Sequence, residues 1–104
     1  MSETKRIAIT GVGAVCGAGL GVDEIWGAII NGKSAIGPIE AWDASSWPVG
    51  VSAEVRNVEN RTLVEDRKLH KMISRTDMFG LFAANQAVQQ SGLLAFRDAM
   101  DDTV

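Results

Sequence analysis

The sequence opens on a segment that the rest of the chain gives it no means to bury. Lys5 to Thr10 reads KRIAIT, and Ile7, Ala8 and Ile9 form a brief apolar run ended by Gly11. A short apolar run stopped by glycine predicts a buried strand, and one this apolar needs neighbours on both sides. No run in the remaining sequence supplies those neighbours. Five glycines follow between Gly11 and Gly21. The backbone there must take unusual dihedrals or pass close to something.

Past the glycine loop, Asp23 is the expected N-cap of a helix whose apolar stripe is Ile25, Trp26, Ile29 and Ile30. Asn31-Gly32 is its stop signal. Ser34 to Trp47 is irregular and holds Trp42 and Trp47, so it reads as an ordered loop pinned by its tryptophans. From Pro48, the residues Val49, Val51, Ala53 and Val55 alternate with Gly50, Ser52, Glu54 and Arg56. This period of two predicts a half-buried edge strand. Thr62-Leu63-Val64-Glu65 matches a capping box, placing a helix start near Leu63. Ser74-Arg75-Thr76-Asp77 resembles a second. One bent helix and two successive helices both fit. The later segment, from Met78 to Val88, is apolar nearly all round and predicts a buried helix ended by Ser91-Gly92. The tail after Leu93 carries Asp98, Asp101 and Asp102. The order of strand, glycine loop, helix, ordered loop, edge strand and two helices is α/β.

Composition narrows the function classes. The chain has 104 residues, 46% of them hydrophobic and 22% charged, which fits one small globular domain or part of a larger one. No apolar run approaches the roughly 20 residues that span a bilayer. The N-terminus has no apolar stretch behind its charges, so no secretory signal is expected. A lone cysteine, Cys16, excludes an internal disulfide and fits a reducing, cytoplasmic setting. The formal net charge of −3 argues against a dedicated nucleic-acid binder. That charge is uneven. Between Arg61 and Arg75 the net charge is +3, which leaves −6 on the rest. On a helix, Arg67, Lys71 and Arg75 fall at i, i+4 and i+8 with Lys68 beside them, forming one positive stripe. The plain reading is a solvated face partnered by Glu65 and Asp66. The functional reading is a docking surface for an acidic protein or a phosphate.

Three other constellations are weaker. Gly11-Val12-Gly13-Ala14-Val15-Cys16-Gly17 sits where a dinucleotide fingerprint would, but the third glycine position is Cys16 and the helix starts too late to hold a pyrophosphate. No nucleotide cofactor is expected, and a tight strand-to-helix crossover is the simpler reading. A catalytic dyad would need both Cys16 and His70, and nothing in the sequence brings them together. One Cys and one His leave a tetrahedral metal short of ligands, so no metal is expected.

Taken together, the motifs resemble the opening of the β-ketoacyl-acyl-carrier-protein synthases, condensing enzymes of the thiolase-like fold. The resemblance runs through Ile9-Thr10-Gly11-Val12-Gly13-Ala14-Val15, then Gly19-Leu20-Gly21-Val22 and Trp26. It continues in Gly32-Lys33-Ser34-Ala35-Ile36-Gly37-Pro38-Ile39, in Trp42-Asp43-Ala44-Ser45, and in Ala53-Glu54-Val55. Arg67-Lys68, Lys71, Ala83-Ala84, Gln86-Ala87 and Ser91-Gly92-Leu93 complete it. Two departures stand out. Cys16-Gly17 replaces the usual Ser-Pro, and Ile73-Ser74-Arg75-Thr76 replaces the usual Met-Asp-Arg-Phe. A chain-length-factor-like relative therefore stays open beside a ketosynthase.

The resemblance implies an N-terminal part of a decarboxylative Claisen condensing enzyme of fatty acid or polyketide synthesis. The family's nucleophilic cysteine and two catalytic histidines have no counterpart in this chain, so no catalytic residue is assigned and the chain alone is expected to be inactive. By position, Arg67, Lys68 and Lys71 are the expected docking residues for the acidic acyl carrier protein. The other expected partner is the rest of the synthase or a second copy. The alternative is a small non-enzymatic binding domain that docks an acidic partner through the same basic helix.

Overall fold

Residues 3–99 are described in the computed structural model, so the acidic positions Asp101 and Asp102 lie outside the described residues. Two antiparallel strand pairs and three α-helices make up the fold. Strand β1 (Val15–Cys16) pairs with β2 (Gly19–Leu20), and helix α1 (Val22–Ile30) follows directly. Strand β3 (Gly37–Pro38) pairs with β4 (Val51–Ser52). Helix α2 (Asn60–Leu63), a 3-10 turn at Leu69–Lys71, helix α3 (Arg75–Ser91) and a 3-10 segment at Leu93–Ala99 complete the order. The α/β assignment holds at this level, with strands of two residues each.

The expected core strand over Ile7–Thr10 does not form. The segment pairs with no strand, and Ile7 and Ile9 are 93% and 85% exposed. A strand needs at least one partner to form a ladder, and among the described residues none pairs with this segment. What the segment leads into is a close contact with α3. A Cβ at Gly13 would overlap the Ala83 carbonyl, and one at Gly11 would overlap that of Ala87. Neither glycine has a positive φ, so space and not conformation requires them. Gln86 Oε1 accepts from the Ala14 amide at 3.1 Å and Gln90 Oε1 from the Val12 amide at 2.7 Å. The glycine loop is therefore a strap laid on a helix.

Helix α1 begins two residues earlier than an Asp23 N-cap predicts. Its N-cap is Gly21 at φ 103°, a region that side chains other than glycine's rarely occupy, and Asp23 sits inside the first turn. Glu24 reaches back to accept from the Leu20 amide at 2.6 Å, doing for the entry what an N-cap side chain would have done. The stop is as expected, with Asn31 at the C-cap and Gly32 at φ 64°. Trp42 and Trp47 meet edge to face at 5.2 Å and stay half-exposed, at 47% and 62%. They pin the loop to itself and not to a core.

The predicted edge strand is reduced to Val51–Ser52, and its faces are reversed. Val49 and Val51 are exposed, whereas Glu54 and Arg56 are the more enclosed residues. Pairing of those two charges, described below, outweighs burial of valines for which no apolar layer exists. Helix α3 carries the expected capping box, with Ser74 Oγ accepting from the Asp77 amide at 3.1 Å and Asp77 Oδ2 from the Ser74 amide at 2.9 Å. Its left-handed cap is Gly92. It is not the buried helix expected. Among the described residues only Leu63 (6%) and Met78 (2%) are enclosed hydrophobics, one from α2 and one from α3, which pack together.

The consequence is a surface too large for the mass. The accessible area is 8757 Å², against about 5,700 Å² for a monomer of this size. The radius of gyration is 18.3 Å, against about 13 Å for a closed domain of this length. No helix among the described residues is long and apolar enough to cross a membrane.

A glycine pair tests the strap. Gly13→Ala should raise exchange at the Val12 and Ala14 amides by at least about tenfold, because the added methyl has no space. Gly27→Ala on α1, where nothing lies within 4 Å, should leave that exchange unchanged and raise helicity, since it removes unfolded-state freedom. Retained protection in Gly13→Ala would contradict the strap.

Candidate functional site

The basic segment is not one helix. Helix α2 ends where the Thr62 box predicted a start, with Val64 extended at φ −140° and ψ 115°. Asp66 then competes for the backbone. Its carboxylate accepts from the Lys68 amide at 3.0 Å and its carbonyl from the Leu69 amide at 3.1 Å. A side chain that bonds its own backbone offers the chain a turn in place of a helix. The Met72 and Ile73 amides then close on the Leu69 carbonyl at 2.9 and 3.1 Å.

This series of turns keeps three of the four expected cations together. Arg67, Lys68 and Lys71 line one open hollow of about 710 Å³ with His70 and Met72. Among the described residues no carboxylate forms an ion pair with them. Asp66, the nearest acid in sequence, is turned onto its own backbone. The cluster is a positive surface left without internal partners.

Arg75, the fourth member of the expected stripe, is elsewhere. Its guanidinium donates to Asn60 Oδ1 at 2.6 Å, to the Val58 carbonyl at 2.8 Å and to the Val55 carbonyl at 3.3 Å. It also lies 5.2 Å over the Phe79 ring. Its role is to anchor the start of α3 against the segment that leads from β4 to α2. The i, i+4, i+8 spacing fails because no single helix runs through it: Leu69–Lys71 is a 3-10 turn, and Ser74, extended at ψ 167°, separates Lys71 from the start of α3.

A second charged group was not foreseen. Arg56 meets Glu40 at 3.3 Å and Glu54 at 3.2 Å, and donates to the Pro38 carbonyl at 2.6 Å. Glu54 accepts from the consecutive amides of Glu40 and Ala41, each at 3.0 Å. Those two amide bonds hold its carboxyl below the usual carboxylate range, with Arg56 adding to them. The sequence signal was present in Glu54-Val55-Arg56: opposite charges two apart share one face of a strand. This group ties the Pro38 loop to β4 and is fully engaged in doing so.

Cys16 and His70 are apart in their bonding. Cys16 is exposed on the β1–β2 hairpin, where its sulfur accepts from the Ala18 amide at 3.4 Å. It lines a hollow of about 120 Å³ with Glu24, Val55 and Arg56. His70 lies in the other hollow, and its Nε2 is 2.6 Å from the Val64 carbonyl. A carbonyl can only accept, so Nε2 carries the proton and cannot act as a base. At the glycine loop, α3 backbone fills the space beside Gly11 and Gly13.

Comparison with known proteins adds the identity of the pattern. Residues 4–102 match the family described as "Beta-ketoacyl synthase, N-terminal domain". The chain is 40% identical over 94 residues to 3-oxoacyl-(acyl-carrier-protein) synthase 2 of Coxiella burnetii, covering 88% of this chain and 22% of that protein. It is 33% identical over 89 residues to nodulation protein E of a Rhizobium species, covering 86% and 22%. It is 33% identical over 94 residues to a Streptomyces cyaneus protein named for a polyketide beta-ketoacyl synthase, covering 88% and 22%. The chain thus spans about a fifth of the length of these relatives.

The Glu54 contacts have a pH signature. A carboxylate whose pKa is depressed by folding stabilises the fold above its ordinary pKa, and that contribution is lost as pH falls through the folded value. The Glu40 and Ala41 amide resonances should therefore shift together only as pH falls below the usual carboxylate range. Glu54→Gln should show the shifted positions already at pH 7. Unchanged positions in that variant would contradict the assignment.

Proposed function

The chain belongs to the β-ketoacyl synthase family, and on that premise we propose that it is the N-terminal part of a 3-oxoacyl-acyl-carrier-protein synthase. In this reading it supplies scaffold and a carrier-docking surface. The condensation is a decarboxylative Claisen reaction: a thiolate takes the acyl group, and the carbanion released from a malonyl thioester attacks it. That chemistry needs an activated nucleophile and groups that stabilise developing charge. The reading assigns them to other parts of the synthase.

One observation carries it. Arg67, Lys68 and Lys71 share a hollow and pair with no acid among the described residues, while Cys16 and His70 are engaged separately. Unpaired cations on a chain of net charge −3 suit an acidic partner, whose approach they accelerate. An acyl carrier protein, which the names of several relatives include, is that partner in this proposal. The remainder of the synthase or a second copy covers the open apolar surface around Ile7 and Ile9. A self-sufficient binding module would use the same basic surface, but exposed isoleucines at its start give it no advantage as a separate fold.

Two measurements test this. The purified chain should show no decarboxylation of malonyl-carrier protein above background, with Cys16→Ala indistinguishable from it. Turnover abolished by Cys16→Ala would overturn the proposal. Charge reversal at Lys68 and Lys71 together should slow association with a carrier protein roughly tenfold at low salt, and the difference should shrink as the Debye length falls.

A further inference from the structure

The docking hollow contains an apolar group that charge alone does not explain. Met72 closes the 3-10 turn, with its amide bonded to the Leu69 carbonyl at 2.9 Å, and it is 80% exposed. It shares the hollow with Arg67, Lys68, His70 and Lys71. Covering Met72 with an apolar layer would strip water from three cations that have no acid among the described residues, and desolvating unpaired charge opposes such a cover. Only a partner that brings its own carboxylates can enclose this methionine.

We propose that Met72 is the apolar anchor of the docking surface, and that the partner face is acidic with an apolar side chain seated on the thioether. This rests on the carrier-docking reading above. Interfaces divide labour in this way: rim charges govern encounter, and a desolvated central side chain governs residence. A thioether suits the task because it is unbranched and adapts to varied apolar shapes. The turn built by Asp66 presents it, since a helix continued from α2 would have placed position 72 differently relative to Lys68 and Lys71.

The test measures association and dissociation rates between the intact chain and a bacterial holo-acyl carrier protein, over a salt series. Met72→Gln should raise the dissociation rate roughly five- to tenfold while leaving the association rate and its salt dependence unchanged. Met72→Leu should stay within about twofold of the parent, as a volume-conserving apolar exchange. Lys71→Glu should do the reverse, lowering the association rate and flattening its salt dependence. If Met72→Gln matches the parent while Lys71→Glu weakens binding, the anchor is wrong and the docking surface stands. If Lys71→Glu is also without effect, or the parent does not bind, both are wrong.

Discussion

The structure depends on the contact between the glycine strap and helix α3. Two glycines two residues apart face two alanine carbonyls four residues apart. The spacings match because two residues of extended chain rise about 6.7 Å and four residues of helix about 6 Å. The helix face involved is Ala83, Gln86, Ala87, Gln90 and Ser91, at helical intervals of three and four. It is small and polar where a core stripe would be apolar. The two glutamines bind the strap's amides, and Gln86 also sits against Gly21, whose amide bonds to the Ala14 carbonyl at 3.0 Å. The strap thereby sets the β1–β2 hairpin and the entry to α1. A methyl group at Gly11 or Gly13 would lift all of this from the helix.

A second set of contacts positions the basic surface proposed for docking, and it works by sorting charge. Arg56 and Arg75 are held by carboxylates, carbonyls and a ring, and they fix the path from the Pro38 loop to the start of α3. Arg67, Lys68 and Lys71 pair with no acid among the described residues. The same residue types thus divide into internal struts and an external surface. The division follows from backbone: segments with free carbonyls capture the first pair, and the Asp66 turn holds its own acid away from the second group.

The parts legible in the sequence were those with local causes. The Ser74–Asp77 box, the Gly92 stop and the Asn31-Gly32 stop need only neighbours in sequence, and all formed. The grouping of Arg67, Lys68 and Lys71 survived although its helix did not, because residues this close in sequence share a face under several backbone conformations. Features with distant causes were read less well. Ile7–Thr10 has strand composition, but strand formation is a property of pairs. The Val49–Val55 alternation gave the correct period and the wrong inner face, because the face is chosen by what packs on it. The glycine loop was read as either unusual dihedrals or close approach. Only the stripe of alanines and glutamines some seventy residues later, met from the helix side, decides between them. Arg75 falls in the stripe only on an unbroken helix, and the extended Ser74 breaks that helix between Lys71 and Arg75.

The central claim is that this chain is a scaffold whose apolar surface is completed by other parts of a synthase. Sedimentation velocity combined with scanning calorimetry on the isolated chain examines it most directly. With only Leu63 and Met78 enclosed among the described residues, the account predicts self-association or a broad heat-absorption profile without a cooperative peak. A monomer that melts in one sharp transition would contradict it.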